Sequence, residues 1–154
     1  MQGLLDCGCE VTDIGMVPTP VVYFAANVLE GRSAVMLTGS HNPPDYNGFK
    51  IVVGGHTLSG DAIVDLYARI AEDRLHDAPV PGEVQQRDIA DAYVDRIAGD
   101  VQTGRRLKVV VDAGNGVAGT LGPRVLEAIG AEVIPLYCDV DGSFPNHHPD
   151  PSRP

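Results

Sequence analysis

Residues 107–137 read LKVVVDAGNGVAGTLGPRVLEAIGAEVIPLY, and this stretch decides the fold class. Its first six residues form a short, nearly continuous apolar run, which is typical of a strand covered on both faces. Residues 117–129 favour a helix that ends at Gly130, and residues 132–137 return to strand composition. A strand, a helix and a strand in succession predict an α/β fold with parallel strands.

The rest of the chain repeats this alternation. Strands are predicted at 9–15, 34–38 and 49–53, and helices at 21–29, 60–73 and 89–101. Ser59 is the expected N-cap of the 60–73 helix, whose core-facing residues are Ile63, Leu66, Tyr67 and Ile70. We expect mixed, mostly parallel sheets with flanking helices. They should form two incomplete domains, residues 1–80 and 88–154, joined by a Pro/Gly-rich linker at 81–87.

Composition excludes several classes of function. The 154 residues include 11 Lys and Arg against 21 Asp and Glu, a net charge of -10 without a basic cluster, so we expect no nucleic-acid partner. The sequence has no apolar run of membrane-spanning length and no secretory signal peptide. Three cysteines, Cys7, Cys9 and Cys138, form neither an even disulfide set nor a CxxC pair. These features favour a cytoplasmic protein that has no membrane partner.

The segment 38–50, TGSHNPPDYNGFK, has the composition of a reactive loop. It follows a predicted buried strand, and the carboxyl ends of strands are where α/β sheets bind ligands. Prolines and an Asn-Gly pair predict a loop of fixed shape with a tight turn at Asn47 and Gly48. Ser40, His41, Asn42 and Lys50 could together hold a nucleophile or a phosphate group. The alternative is local turn hydrogen bonding by Ser40 and Asn42, with His41 on the surface and Lys50 protecting a strand edge.

The whole string resembles the active-site serine loop of the α-D-phosphohexomutases, whose pattern is Thr-(Ala/Gly)-Ser-His-Asn-Pro-Pro-x-x-Asn-Gly-x-Lys. Every fixed position is met. Residues 17–20 (VPTP), 109–116 (VVVDAGNG) and 144–151 (FPNHHPDP) are also similar to the bacterial phosphomannomutase/phosphoglucomutase branch. By this likeness, residues 1–80 are the later part of that family's domain 1 and residues 88–154 the first part of domain 2, in a protein of four domains.

The resemblance implies an activity and a set of site residues. Ser40 would carry a phosphoryl group and pass it to a hexose phosphate, such as mannose or glucose 1- or 6-phosphate, through a bisphosphohexose intermediate that also acts as activator. Lys50 would offset charge at the transferring group and assist proton transfer, while His41 orients the phosphate or hydroxyl. Thr38, Gly39 and Asn42 would support the loop. A single Mg²⁺ would bind through the phosphate on Ser40.

Other motifs of the family are absent from the 154 residues. These are the metal loop Asp-Gly-Asp-Gly-Asp-Arg, the sugar-recognition loop and the phosphate-clamping loop. Asp139 to Gly142 offers only two carboxylates at the wrong spacing, and we interpret it as a turn. We therefore expect a truncated mutase with little activity alone. A non-enzymatic phosphosugar-binding or assembly module is the alternative.

Two further patterns point elsewhere. Gly114 to Gly119 matches GxGxxG between a strand and a helix, and Asp139 follows at the spacing of a dinucleotide-binding site. A tight turn explains the same glycines, so NAD(P) binding is a lesser alternative. His147, His148 and Asp150 could be imagined as a metal cluster, but ligands crowded between prolines converge poorly, which favours a solvated loop.

Overall fold

The structure is a computed structural model that describes residues 1–39, 41–42, 45–148 and 150. Its helices are α1 (Gln2–Asp6), α2 (Thr19–Val28), α3 (Asp61–Ala71), α4 (Ala90–Asp100) and α5 (Gly122–Ala128), with a 3₁₀ helix at Val117–Thr120. Its strands are β1 (Val11–Asp13), β2 (Ala34–Thr38), β3 (Gly48–Val53), β4 (His56–Thr57), β5 (Val84–Gln86), β6 (Lys108–Asp112) and β7 (Glu132–Leu136).

The described strands form three small sheets. β1 pairs with β5 and β6 with β7, both in parallel, while β2, β3 and β4 form an antiparallel sheet in that order. The predicted mixed α/β class is confirmed. The sheets are less parallel than expected, because the 34–38 and 49–53 strands are joined directly by a loop and therefore run in opposite directions.

The tight turn of the antiparallel sheet lies elsewhere than predicted. Gly48 is the first residue of β3 and already pairs with Thr38, so residues 47 and 48 do not form a two-residue turn. The turn lies at Gly54 and Gly55, between the paired residues Val53 and His56. Both glycines have positive φ, 57° and 87°, as a two-residue hairpin requires.

The predicted helix at 117–129 is split in two. The 3₁₀ helix ends at Thr120 and α5 begins at Gly122, with Pro123 in its first turn. Proline has no N–H to donate to the preceding turn, so it interrupts a continuous helix but fits the start of a new one.

A strand lies within the predicted linker 81–87. β5 runs parallel to β1, with Val11 opposite Val84 and Asp13 opposite Gln86. Its side chains are exposed, so no apolar alternation marks it in the sequence. Backbone pairing alone makes this segment a strand.

The main buried cluster forms around α2. Val21 and Ala25 pack with Ile89, Val94 and Leu121. Phe24 and Tyr93 add an edge-to-face ring contact with centroids 5.5 Å apart. The cluster therefore combines residues from both sides of the predicted linker. α2 also contacts β2, and its Val22 and Ala26 are buried as well.

Several residues expected in the core are exposed. On α3, Ile63, Tyr67 and Ile70 are all exposed, and Ser59 makes no capping hydrogen bond because Gly60 is the N-cap. β2 and β6, expected to be covered on both faces, alternate between partly buried and exposed residues. The prediction that both faces of these strands are covered is therefore wrong for the described residues, because a continuous apolar run is equally compatible with a strand that is covered on one face.

Loop residues at the end of β6 form a hydrogen-bonded network. Asn115, only 6% exposed, donates its side-chain N–H to the Asp139 carbonyl and accepts from the Asn146 amide.

Asp112 accepts from the Gly114 N–H and lies 3.0 Å from His147 Nε2. His147 Nδ1 lies 3.0 Å from the His148 carbonyl oxygen. Only the protonated ring donates to both oxygens, so this geometry favours the imidazolium form.

The two pKa shifts of this pair give its stability a pH dependence. The His148 carbonyl and then the Asp112 carboxylate raise the pKa of His147, whereas the His147 ring and then the Gly114 N–H lower the pKa of Asp112. The histidine contribution is full below its ordinary pKa and is lost as the pH rises through the raised value. The aspartate contribution is lost only as the pH falls through its lowered pKa.

Replacing His147 with Gln should therefore lower the thermal midpoint more at about pH 5.5 than at about pH 8.5. We expect a difference of a few degrees at most, because both side chains are more than 40% exposed and water screens the pair. His56→Gln, at an exposed position on β4, is the matched control and should show no such pH dependence. Equal losses for H147Q at both pH values would contradict the prediction.

Gly119 provides a second test of packing. A Cβ at this buried position would overlap the Cys138 carbonyl, and backbone cannot move aside as a side-chain end can. Gly119→Ala should cost about 1–3 kcal/mol of unfolding free energy in urea denaturation. Gly99→Ala, in open space within α4, should instead be neutral or stabilising by up to about 1 kcal/mol. A neutral G119A would show that this close approach is not required.

Candidate active site

The loop predicted to carry the chemistry joins β2 to β3. Thr38 and Gly48 pair at the last rung of the ladder, so both ends of the loop lie at one edge of this antiparallel sheet. The proposed nucleophile Ser40, together with Pro43 and Pro44, lies outside the described residues. Among the described residues, those nearest to it in sequence are Gly39 and His41.

Lys50 is half-buried beside the start of α2. It pairs with Met36, two residues before Thr38 on β2, and its Nζ donates to Thr19 Oγ1 at 3.2 Å. Thr19 Oγ1 in turn lies 3.5 Å from Met36 Sδ, which can accept its proton. The ammonium is thus held by a hydroxyl, and the described residues give it no carboxylate partner. A fixed cation without a counter-ion at this edge is suited to an anionic ligand.

Local sequence explains why Thr19 is in place. Pro18 has extended backbone and precedes the helix, and Pro20 fits the first turn because its missing N–H is not needed there. α2 therefore starts at Thr19, with its hydroxyl next to Lys50. The sequence analysis included Thr19 in a family-like segment but gave it no role, since contact between residues 31 positions apart has no local signal.

The other predicted loop residues are placed as follows. Thr38 ends β2 on the same face of the sheet as Lys50. Met36 pairs directly with Lys50, and Thr38 lies two residues after Met36 on the same strand, so all three side chains are on one face. Gly39 accepts a hydrogen bond from the Asn42 N–H at 3.0 Å, so these two residues brace the loop through the backbone. His41 and the Asn42 side chain are exposed. Their predicted roles beside Ser40 stay predictions, because Ser40 lies outside the described residues.

The residues present do not fit a metal site of their own. Within residues 1–39, 41–42, 45–148 and 150, no three His, Cys, Asp or Glu side chains are grouped to hold an ion. Asp141 is used locally, since it accepts from the N–H and hydroxyl of Ser143, as expected for a turn. Magnesium prefers several oxygen ligands in octahedral geometry, and this donor set does not provide them.

The two lesser patterns are explained by packing. In the GxGxxG segment, the buried Asn115 donates a hydrogen bond to the Asp139 carbonyl, and Gly119 packs closely against the Cys138 backbone. Both residues therefore make contacts within the protein. His147 bonds to Asp112, while His148 Nδ1 accepts from the Asp150 N–H. Both histidines therefore form hydrogen bonds with neighbouring groups of the protein. Sequence analysis did not identify the Asp112–His147 pair, whose members are 35 positions apart.

No helix in the described part of the chain has the length and apolar character needed to cross a lipid bilayer. All three cysteines are free thiols.

Two family models match the chain. Residues 1–77 match the phosphoglucomutase/phosphomannomutase alpha/beta/alpha domain I, and residues 91–154 match domain II of the same family.

Known relatives agree with these matches. A phosphomannomutase/phosphoglucomutase of Pseudomonas aeruginosa is 61% identical over all 154 residues, which are 33% of that protein. A phosphoglucomutase of Neisseria gonorrhoeae is 51% identical over 153 residues, covering 99% of this chain and 33% of that protein. Among solved structures, a family protein of Burkholderia thailandensis superposes with a TM-score of 0.90 at 54% identity, covering 97% of this chain and 34% of that one.

The chain thus spans about a third of the length of the relatives it matches, and it is similar to them in sequence and fold over that third. It belongs to the phosphoglucomutase/phosphomannomutase family.

Proposed function

We propose that this chain contributes the phosphoserine loop of a phosphohexomutase, an isomerase that moves phosphate between the 1- and 6-positions of a hexose. The observation that carries the proposal is Lys50, which Thr19 holds at the sheet edge where the TGSHNPPDYNGFK loop begins and ends. Membership of the family supports the same reaction. The substrate would be mannose or glucose phosphate, the sugars for which the relatives are named.

The reaction requires two phosphoryl transfers, from Ser40 to the sugar and then from the other position of the bisphosphohexose back to Ser40, and the second reverses the bond exchange of the first. The bond from phosphorus to Ser40 Oγ breaks while a bond from phosphorus to a sugar hydroxyl oxygen forms, and the proton of that hydroxyl ends on the serine oxygen. Phosphoryl transfer depends mainly on position and on stabilisation of charge on the equatorial oxygens. Lys50 would supply that positive charge and assist the proton transfer, and exposed His41 would orient the phosphate or hydroxyl. Thr38, Gly39 and Asn42 hold the loop ends.

We further propose that residues 1–80 and 88–154 belong to two domains, that Mg²⁺ binds through the Ser40 phosphate, that a bisphosphohexose acts as activator and that the protein is cytoplasmic. The free thiols support a reducing compartment. The metal would need carboxylates from another part of a mutase, because the described residues do not group three.

Phosphorylation of Ser40 is the direct test. Prolonged incubation of the chain with glucose 1,6-bisphosphate and Mg²⁺ should add one phosphoryl group, slowly because the other motifs of the family are absent from these residues, and peptide mass spectrometry should place it on Ser40. Ser40→Ala should prevent the addition, because it removes the hydroxyl that the proposal makes the phosphoryl acceptor. A phosphoryl group on another residue, or none after prolonged incubation, would contradict the proposal.

The two lysines of the chain form a matched pair for testing charge. Lys50→Met should slow phosphorylation of Ser40 by about 100-fold, the usual effect of removing one electrostatic stabiliser. Lys108→Met, at an exposed position whose ammonium lies 3.5 Å from Glu132, should leave the rate unchanged. Thr19→Val should also slow the reaction and Thr19→Ser should restore it, because serine keeps the hydroxyl that binds Lys50. Equal rates for K50M and K108M would remove Lys50 from the mechanism.

The chain alone should not complete the mutase cycle. A coupled assay that follows conversion of glucose or mannose 1-phosphate to the 6-phosphate should detect little turnover, since the metal, sugar-recognition and phosphate-clamping motifs are absent from these residues. The Pseudomonas aeruginosa relative, assayed in parallel, is the positive control. Turnover at an ordinary enzymatic rate would show that residues 1–154 suffice.

A further inference from the structure

Met36 takes part in a chain of hydrogen bonds that leads to Lys50. Lys50 Nζ donates to Thr19 Oγ1 at 3.2 Å, and Thr19 Oγ1 donates to Met36 Sδ at 3.5 Å. Met36 and Lys50 are direct partners in the ladder of β2 and β3, so their side chains lie on the same face of the sheet. Thr19 reaches this face as the first residue of α2, which packs against β2. Three elements that are separate in the sequence thus meet at these three side chains.

The chemistry of the three groups allows only one direction for this chain. An ammonium group can only donate a hydrogen bond, and a thioether has no proton and can only accept one. The Thr19 hydroxyl therefore accepts from Lys50 and gives its own proton to Met36. Because Thr19 is the first residue of α2, the helix has no carbonyl four residues earlier that could take this proton. The sulfur of Met36 thus fixes the rotation of the hydroxyl and directs an oxygen lone pair at Lys50.

A sulfur atom at this position also keeps the positive charge of Lys50 available. A carboxylate would hold the Thr19 proton more strongly, but it would also attract the ammonium and cancel much of its charge. The thioether is neutral and polarisable, so it accepts the proton without repelling an anionic ligand. An alkyl side chain of similar size would fill the same half-buried space but would offer no acceptor.

We propose that Met36 is a positioning residue for Lys50: its sulfur orients the Thr19 hydroxyl, and the hydroxyl holds the ammonium at the sheet edge where the phosphoryl group would be transferred. The inference deepens the proposed function and rests on it for the effect on phosphoryl transfer. The holding of Lys50 by Met36 through Thr19 can be tested without any transfer. A single neutral hydrogen bond contributes a modest free energy, so the effects expected are about three- to tenfold.

The two lysines of the chain allow the holding of Lys50 to be measured directly. Acetic anhydride acetylates amines, and peptide mass spectrometry gives the rate at Lys50 relative to the exposed Lys108 of the same sample. Met36→Leu should raise this ratio about threefold or more, because a lysine that is no longer held against Thr19 is more accessible to the reagent. Met36→Gln should return the ratio close to that of the unsubstituted chain, because the amide oxygen accepts from Thr19. A role in packing alone gives the reverse order, since leucine preserves the apolar contact and glutamine does not.

A second substitution tests whether Met36 acts through the hydroxyl. In a Thr19→Val chain, which has no hydroxyl to orient, M36L should leave the acetylation ratio unchanged. Met16→Leu, at an exposed methionine outside the helices and strands, is the matched control and should also leave the ratio unchanged. Circular dichroism checks that the variants fold; where M36Q does not, the comparison of M36L with and without Thr19→Val decides.

The rate of Ser40 phosphorylation connects this arrangement to the reaction. M36L should slow the addition from glucose 1,6-bisphosphate about three- to tenfold, and M36Q should restore most of the rate. An unchanged acetylation ratio for M36L, a folded M36Q that behaves no better than M36L, or an effect of M36L that persists beside Thr19→Val would each overturn the proposal. The expected acetylation ratios without any phosphorylation of Ser40 would overturn the proposed function and still support the positioning of Lys50 by Met36.

Discussion

Burial of one side of α2 is the interaction on which the rest of the structure depends. Val21 and Ala25 pack with Ile89, Val94 and Leu121, so a helix from the first part of the chain forms a common core with the second part. The same helix begins at Thr19, whose hydroxyl fixes the Lys50 ammonium. Because a helix is rigid over ten residues, apolar packing along its length also determines where this cation lies.

The two strand ends that the sequence marks as possible sites have opposite characters. At the end of β6, Asp112, Asn115 and His147 direct their polar groups to one another and to nearby backbone, so that loop is closed by its own hydrogen bonds. At the end of β2, His41 and Asn42 are exposed, and Lys50 is held by a neutral hydroxyl. This contrast favours the second loop for binding a phosphate, although both loops contain glycine between strand-like segments.

Apolar side chains are exposed on two elements of the first part of the chain. Leu37 and Phe49 on the antiparallel sheet have the composition of core residues but are more than 60% exposed among the described residues. The same holds for Tyr67 and Ile70 on α3. Apolar composition in these elements therefore does not by itself indicate burial.

The α/β class, most helix and strand positions and the family can be predicted from the amino-acid order, because apolar periodicity and the long loop motif are local signals. The motif also indicates Ser40 and Lys50. The strand β5, the contact of Thr19 with Lys50 and the pair of Asp112 with His147 become evident only in the folded chain. These are contacts between distant residues, and neither exposed backbone pairing nor a single long-range hydrogen bond leaves a periodic pattern. The sequence also predicts more burial on β2, β6 and α3 than the structure shows. Apolar composition indicates that a residue favours burial, but it does not indicate which other residues would cover it.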